Sequence, residues 1–574
     1  MELRQQALAW MAEDPDPATR EEVQRLLDLD DDAGLADRFS QRLEFGTAGI
    51  RGPLGAGPNR MNRAMIRRVT AGLAERLNQV AGPAGAQGVV VGRDARYNSD
   101  EFAADATRVL AGAGLGVWEF VDVVPTPLVA FAVRYLKAAA GVMITASHNP
   151  PSDNGFKVYG PGGRQIAAPL DAEISAAIDA VESLDDVPLA PPDTPLVWPI
   201  DPDLVENYVH EVLQLIPSDG PKDTTIVYSA LHGVAGELCL HILSDAGFTD
   251  VHAVPEQQQP NPDFPTVAFP NPEEPGAMDL AVALATEIGA DLILANDPDG
   301  DRIAVGIPQA GQWRLLGGDE IGTMLAEDVL SRGALAGAGA AHVATTVVSS
   351  QLLAKIAADH HAGYTETLTG FKWLSQAAAE VAEDGQTMVL AYEQALGVSI
   401  GDLVRDKDGI SAALAVADLA ARLRHKGQTI DDLLDDLARR HGAHVTEGRS
   451  IHLDDSDGED QVQAALDRLR ADPPAELGGS DVVRVWDHDA GVVTAQDGSV
   501  EEIGLPPTPL LRYVAADGTR VMVRPSGTEP KLKFYGEAIV AGEDPDAARE
   551  QAAARVGEVL DAFMARTLPG QKVS

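Results

Sequence analysis

Short apolar runs recur along the chain, each followed by a polar or glycine-rich loop and then by an alanine-rich stretch of helical spacing. GVVVGRDAR (88–96), GVMITASHN (141–149), TIVYSALHGVAG (225–236), DLILANDPDGDR (291–302), HVATTVVSS (342–350) and TMVLAYEQALG (387–397) follow this pattern. Such runs predict buried strands, and strands alternating with helical segments predict βαβ units in mostly parallel sheets. In sheets of that kind the loops beyond the carboxyl ends of the strands carry the chemistry. One helical stretch is expected over residues 8–27, ahead of the first strand. The prolines of VPLAPPDTPLVWPIDPD (187–203) predict a connection, as does the region around LLGGDE (315–320). Past the acidic stretch at 454–459, shorter strands (VVRVWDH, VTAQDG, TRVMVRPSG) predict a separate α+β domain.

Composition narrows the class. At 574 residues the chain exceeds what one core usually holds, so three to five domains are expected. A hydrophobic content of 45% and a mean hydropathy of −0.07 predict a soluble globular protein. Charges begin at Glu2 and no run reaches the roughly 18 apolar residues of a membrane span, so a cytoplasmic protein without a membrane partner is expected. The single cysteine, Cys239, excludes an internal disulfide framework and a multi-cysteine zinc site, and its apolar neighbours predict a small core residue. A formal net charge of −44 argues against nonspecific nucleic-acid or anionic-membrane binding. Against that acidity there are only ten lysines, and four of them (Lys157, Lys372, Lys531, Lys533) lie in the motif loops below. Positive charge is concentrated where an anion could sit.

DPDGDR (297–302) sets Asp297, Asp299 and Asp301 on one side of a tight turn after an apolar strand, which suits a hard, oxygen-seeking cation such as Mg²⁺. An EF-hand opens the same way but needs glycine sixth and usually glutamate twelfth; here those positions hold Arg302 and Pro308. A solvated turn without metal is the competing reading. RPSGTEPKLK (524–533) gathers a guanidinium, two hydroxyls, a permissive glycine and two ammonium groups. Arg524, Ser526 and Thr528, with the backbone at Gly527, could cradle a phosphate ahead of the strand-like KLKFYGEA. An ordinary turn could have the same composition. YEQALG (392–397) places Glu393 just past an apolar run, where its carboxylate could accept from two sugar hydroxyls or simply face water. TLTGFKW (367–373), FGTAGIRG (45–52) and GRDAR (92–96) add Lys372, Arg51, Arg93 and Arg96, all seated with glycines in loops. Any one of these cations alone reads as a surface ion pair.

TASHNPPSDNGFKVYG (145–160) puts Ser147 where a predicted strand ends and a stiff turning loop begins. A Ser-His-Asp hydrolase does not fit, because adjacent Ser147 and His148 are not expected to make the base-to-nucleophile geometry and no Gly-x-Ser-x-Gly elbow surrounds the serine. A serine beside a metal and several cations could instead carry a phosphoryl group.

Taken together, TASHNP around Ser147, DPDGDR, the Glu393 loop and RPSGTEPK, in this order over nearly the whole chain, resemble the α-D-phosphohexomutase family of phosphoglucomutases and phosphomannomutases. The opening ALAWMAEDPDPATREE, with TGFKW and VRDKDG (404–409), looks most like the longer branch that includes glucose-1,6-bisphosphate-forming and pentose-phosphate enzymes. The resemblance implies an α/β chain of four domains around a central cleft. The first three would share a related α/β topology with mixed sheets, and the fourth would be a smaller α+β domain. Boundaries are expected at 1–205, 206–318, 319–448 and 449–574. It implies a phosphoserine at Ser147 and Mg²⁺ held by Ser147, Asp297, Asp299 and Asp301. Substrate would be bound by Arg302, Gly370, Glu393, Ala395, Arg524, Ser526, Gly527, Thr528 and Lys533. Arg51, His148, Lys157 and Lys372 would take part in catalysis, with Lys157, Lys372 and His148 the unranked acid or base candidates, and Thr47, Arg93, Arg96 and Asn149 would support the site. The activity implied is interconversion of hexose 1- and 6-phosphates, glucose or mannose, through a 1,6-bisphosphate that also serves as activator. The partners expected are small sugar phosphates, with the chain a monomer or dimer.

The sugar loop departs from the pattern of many glucose-preferring relatives. Where they have Glu-Glu-Ser, this chain has Glu393-Gln394-Ala395, which keeps glucose, mannose and pentose phosphates open. A bisphosphate synthase or sugar phosphatase using the same serine is the alternative within catalysis. A noncatalytic sugar-phosphate sensor is the alternative outside it, but a sensor has no need of a phosphorylatable serine.

Overall fold

In the computed structural model, residues 2–45, 49–80, 88–333, 335, 337, 339–453, 458–526 and 531–568 are described. The apolar runs form strands as expected, and they assemble into four sheets. The first has the order Ile50–Pro53, Asp153–Tyr159, Ala140–Ile144, Val89–Arg93, Val117–Glu119, Val197–Pro199. The second runs Gln312–Leu315, Ile303–Gln309, Leu292–Asn296, Ile226–Ser229, Val251–Ala253, and the third Gly363–Thr367, Ala341–Thr346, Thr387–Glu393, Gly397–Ile400.

These three sheets share one device. A buried strand, parallel to its inner neighbour, runs into a motif loop, and the chain returns antiparallel beside it. Ala140–Ile144 returns as Asp153–Tyr159, Leu292–Asn296 as Ile303–Gln309, and Thr387–Glu393 as Gly397–Ile400. Each return needs a tight reversal, and each loop contains a residue of positive φ: Ser147 at 55°, Gly300 at 74° and Leu396 at 62°. At Gly300 only glycine suits the backbone, because a Cβ there would also meet Ala235 Cβ at 2.9 Å. The sheets are therefore mixed, as the resemblance implies, rather than mostly parallel.

The fourth sheet is antiparallel throughout its pairings and is covered by the helix Pro545–Thr567, which buries Val556, Leu560 and Phe563 against it. Its edge strand Ala443–His452 pairs with Lys531–Val540 over ten residues. That strand straddles the boundary expected at 448/449, because its partner lies some ninety residues further on and leaves no local signal. Two further expectations are corrected. The stretch 8–27 is not one helix: Glu2–Glu13 and Pro17–Asp28 are separated at Asp14-Pro15-Asp16, where Asp16 caps the second helix by accepting from Ala18 N, with Pro17 at its first position. The proline-rich connection at 187–203 is not wholly a linker either, since Val197–Pro199 completes the edge of the first sheet. Proline suits that edge because it has no N–H to offer a further strand.

The largest apolar core joins the first three sheets. The helix Gly409–His425 is buried along most of its length, and its Ile410, Leu414 and Ala417 share this core with Ile293 and Leu294 of the second sheet. Its N-cap, Asp408, accepts from Ile410 N and Ser411 N, and also from the buried Tyr208 hydroxyl at 2.9 Å. Cys239 lies in the same core, with burial pushing its thiol up to about 12, so it is a packing residue. Among the described residues no helix is long and apolar enough to cross a membrane.

Candidate active site

Ser147 follows the fully buried strand Ala140–Ile144 and is itself buried, in a left-handed conformation that non-glycine residues adopt at some cost in strain. Its N–H donates to Thr145 Oγ1 at 2.9 Å. The loop is held by Arg96, whose guanidinium donates to four of its carbonyls: Ser147 O and Asn149 O at 2.6 Å each, Pro150 O at 2.7 Å and Asp153 O at 3.1 Å. Asp94 pairs with Arg96 at 3.3 Å, and the Phe264 ring lies 5.1 Å from the guanidinium carbon. Asn149 ties the loop to its own far end, donating to Asp153 Oδ2 at 3.0 Å. Arg96→Lys removes a planar fork that one ammonium cannot replace. It is expected to lower kcat about 100-fold by displacing Ser147, a loss read by steady-state kinetics; unchanged kcat would show that the loop needs no such brace.

Across the cleft, the Ser147 hydroxyl donates to Asp297 Oδ2 at 3.0 Å. His148 Nδ1 lies 3.2 Å from the same Oγ. Contrary to expectation, the neighbouring serine and histidine do touch, because the left-handed turn at Ser147 folds the two side chains together. Burial, then the cations Arg302 and Arg51, hold the His148 imidazole well below its usual range, in the neutral form.

Asp297, Asp299 and Asp301 present oxygens within 4.8 Å of one another and are all buried. Thr126 fastens the turn to the first domain, donating its N–H to Asp299 O at 2.8 Å and its hydroxyl to Asp299 Oδ2 at 2.6 Å. Lys157 donates to Asp299 Oδ2 at 2.6 Å and Asp301 Oδ2 at 2.9 Å. Burial opposes the charge on all three carboxylates. At Asp297 it prevails, joined by the repulsion of Asp299 and Asp301, and the carboxyl is raised well above its usual range. Lys157 overcomes it at Asp299, and Lys157 with Lys407 overcomes it at Asp301, holding both below that range. Asp299 Oδ1 and Asp301 Oδ1 are buried without a hydrogen-bond partner. Unsatisfied, clustered carboxylate oxygens are the donor set a hard divalent cation requires, so these residues fit Mg²⁺.

The sugar loop lies against the metal loop through the backbone: Ile303 N donates to Leu396 O at 3.1 Å, and Arg302 bridges to Gly397. Glu393 Oε1 accepts from Gly370 N at 2.8 Å, which brings Gly370 and Glu393 together; Ala395 lies half-buried in the same turn. Lys372 is buried, 3.5 Å from Asp171 Oδ2 of the first domain and 5.3 Å from the Trp373 ring centroid. Arg51 belongs to the strand paired with the return of the Ser147 hairpin, opposite Gly155.

Lys407 was missed as a site residue. It stands 3.1 Å from Asp301 and 3.4 Å from Asp406, over the Phe371 ring, and a Cβ on Gly397 would meet its Cδ at 2.4 Å. Burial notwithstanding, Asp301, Asp406 and Glu393 hold its ammonium above the ordinary lysine range. The one available signal was a lysine between two aspartates in VRDKDG. Arg93, by contrast, is not brought to the Ser147 group, its guanidinium donating to Val121 O at 3.4 Å.

In the fourth domain, Arg524 and Lys533 are register partners on adjacent strands. Ser526 N donates to Lys531 O at 2.8 Å, closing the hairpin neck. The Arg524 guanidinium carbon lies 5.9 Å from the Tyr535 ring, and its Nε is buried without a partner. Gly527 and Thr528 of the expected phosphate loop, and Thr47, lie outside the described residues.

Family models match the chain in order: phosphoglucomutase/phosphomannomutase alpha/beta/alpha domain I at residues 42–185, domain II at 206–310, domain III at 317–441 and the C-terminal domain at 460–556. The chain is 38% identical over 492 residues to a "Probable phosphomannomutase" of Haemophilus influenzae, covering 84% of this chain and 94% of that protein. It is 37% identical to a "Probable phosphoribomutase" of Schizosaccharomyces pombe, covering 92% of each. With a "Phosphopentomutase" of Mus musculus it is 33% identical, covering 98% of this chain and 94% of that one. A phosphoglucomutase/phosphomannomutase family protein from Burkholderia thailandensis has the same fold, with a TM-score of 0.67 at 22% identity over 91% of this chain and 97% of that one. Four domains matched in sequence order, together with relatives more than 30% identical along nearly its whole length, show that the chain belongs to the phosphoglucomutase/phosphomannomutase family and is an intramolecular phosphotransferase.

Proposed function

We propose that the enzyme interconverts a sugar 1-phosphate and the terminal phosphate of the same sugar, hexose 1- and 6-phosphates first, through phospho-Ser147 and a sugar bisphosphate. The observation that carries this reading is the buried Ser147 hydroxyl 3.0 Å from Asp297, facing three clustered carboxylates. Asp297, Asp299 and Asp301 would hold Mg²⁺, which when bound supplies positive charge to the transferring phosphoryl group.

In the forward half-reaction the phosphorus–Oγ bond of phospho-Ser147 breaks and a bond forms to the free sugar hydroxyl oxygen. The hydroxyl's proton goes to a nearby base, and a sugar bisphosphate results. His148, neutral and beside Ser147 Oγ, is placed to take that proton and pass it to the departing Oγ, which leaves as the serine hydroxyl, with the reverse transfer when Ser147 is phosphorylated again. Lys157, bonded to two of the carboxylates, ties the acidic turn to the serine hairpin instead. Glu393 orients sugar hydroxyls, while Arg524 and Ser526 hold the phosphate that is not reacting. After the intermediate reorients, the second phosphate returns to Ser147. One phosphate cup and one carboxylate must therefore serve both orientations, with charge stabilisation and positioning accounting for the rate.

A second reading is favoured by a specific observation. Two relatives that match this chain over 92% and 98% of its length are named phosphoribomutase and phosphopentomutase, so a pentose phosphate is the next substrate to offer. Glucose 1-phosphate, mannose 1-phosphate and ribose 1-phosphate, tested side by side with Mg²⁺ and a trace of glucose 1,6-bisphosphate, decide between them. Hexose conversion supports the first reading, and preference for ribose replaces it with the second.

Metal binding has a readout apart from turnover. Mg²⁺ at a hundred times its Kd is expected to stabilise the protein by about 2.7 kcal/mol, seen as a rise in thermal midpoint that Asp299→Asn abolishes. An equal rise in the variant would place the ion elsewhere.

A further inference from the structure

The loop over residues 258–278 joins the short 3-10 helix Pro255–Gln257 to the helix Asp279–Ile288 with no helix or strand of its own. Connections of that length without regular structure are uncommon inside a compact domain and are usually functional. This one reaches both halves of the active site. At its near end Asn261 N donates to His232 O at 3.0 Å, and Thr266 Oγ1 accepts from Gln257 Nε2 at 3.0 Å and lies 2.8 Å from His232 Nε2. Between these anchors Tyr97 donates its hydroxyl to Asp263 Oδ1 at 2.6 Å, and the Phe264 ring lies against Arg96, which braces the serine loop. At its far end the buried Pro270 and Pro272 flank Asn271, whose Oδ1 accepts from Glu273 N at 3.2 Å and whose carbonyl accepts from Glu274 N at 3.0 Å. Such an Asx turn fixes the direction in which the chain leaves it, and here it delivers Glu273 to the metal loop.

Glu273 Oε2 lies 3.5 Å from Arg302 Nη1. The backbone of Arg302 is fixed, its N–H donating to Asp297 Oδ1 at 3.0 Å and its carbonyl accepting from Asn296 Nδ2 at 2.8 Å. Its guanidinium is held loosely. Nε is buried without a hydrogen-bond partner, and Asp301 Oδ1 lies 3.9 Å from it. A guanidinium that grips a carboxylate or phosphate does so at about 2.7–2.9 Å, so neither contact is a closed pair. The carboxylates that act most on Arg302 are Asp297, Asp301, Glu273 and Glu393. Of these, Glu273 alone has no part in holding metal or sugar in the proposed reaction.

We propose that Glu273 is a positioning residue that gives the Arg302 guanidinium a resting place, from which the sugar phosphate draws it and to which it returns when the phosphate leaves. The inference rests on the proposed mutase reaction, in which the bisphosphate must loosen its contacts and reorient in every cycle. A resident carboxylate competes with phosphate for Arg302 and so favours that release. The long contact suits the exchange: a closed carboxylate pair would resist the phosphate, and a buried guanidinium with no counter-ion would bind it more tightly.

Kinetics on glucose 1-phosphate in the full-length enzyme separate this role from a structural one. Glu273→Gln keeps the shape of the side chain and removes its charge. Both KM and kcat are expected to fall about fivefold, the scale of a partly exposed ion pair, because phosphate is then held more tightly and released more slowly. Glu273→Asp, which keeps the charge, is expected to bring both constants part of the way back. Glu274→Gln removes the same charge one residue along and is expected to leave both within about twofold. An unchanged or raised KM in Glu273→Gln would overturn the proposal. So would an equal fall in Glu274→Gln, since the effect would then belong to the general field and not to the contact with Arg302. Calorimetric titration with glucose 1,6-bisphosphate reads the same exchange without turnover: Glu273→Gln is expected to bind about fivefold more tightly than the unaltered enzyme, and equal affinity counts against the resting place. Failure of the unaltered enzyme to convert any sugar phosphate, with that difference in affinity intact, would overturn the mutase reading and leave the exchange at Arg302 standing.

Discussion

Ser147→Ala is expected to abolish interconversion, lowering kcat by roughly 10⁴-fold or more, the scale found when the nucleophile of a covalent mechanism is removed. In the proposed mechanism the variant loses the Oγ that bears the phosphoryl group. The fold should survive. Alanine fits wherever serine does, the four carbonyl contacts of Arg96 involve only the backbone, and the N–H bond to Thr145 is kept. The local losses are the hydrogen bond to Asp297, about 1 kcal/mol, and the contact with His148 Nδ1 at 3.2 Å. Kinetics and a thermal melt on the same sample separate the two effects. A dead enzyme with a near-normal melt supports the assignment, and substantial activity in the variant would remove Ser147 from the mechanism.

Arg520→Ala is expected to be the most destabilising of the substitutions considered, by about 3–5 kcal/mol, because it leaves Glu537 buried without its cation. Both side chains are almost fully buried. Burial alone would raise the Glu537 carboxyl; Arg520, followed by His444 and Ser350, holds it well below its usual range. The sign of the pH dependence follows. A carboxyl depressed in the folded state contributes stability that is fully present above its unfolded value, about 4.3, and is lost as pH falls through the folded value. The gap between unaltered protein and variant should therefore be full at neutral pH and shrink below about pH 4. Urea titrations across that range measure it, and a gap independent of pH would show that the loss comes from packing rather than charge.

Much of the site was legible because its chemistry is local. Asp297, Asp299 and Asp301 lie within five residues of one another, and Ser147 and Glu393 sit where apolar runs give way to turn residues, a transition that composition alone displays. What composition does not display is pairing between distant segments. Lys407 becomes a site residue only because Ile303 and Leu396 hold the second and third loops together. Arg93 and Arg96, three residues apart in one motif, part company because a strand ends between them: Arg93 is its last residue, and Arg96 turns back over the serine hairpin. The strand Ala443–His452 likewise owes its domain to a partner at Lys531–Val540, and the helical stretch at 8–27 divides because Asp16 finds a capping role beside Pro17. Gln394 is the instructive case. As a letter in a motif it marks a missing carboxylate; in the fold it is an acceptor for Ser349 and Thr346 of its own domain.

The central claim, that Ser147 carries the phosphoryl group between two positions of one sugar, is tested most directly by following the group itself. Enzyme incubated with Mg²⁺ and radiolabelled glucose 1,6-bisphosphate should acquire label on the peptide containing Ser147, and unlabelled sugar monophosphate added afterwards should remove it at a rate no slower than turnover. Interconversion of the sugar phosphates without label on that peptide, or label that leaves only as inorganic phosphate, would contradict the account.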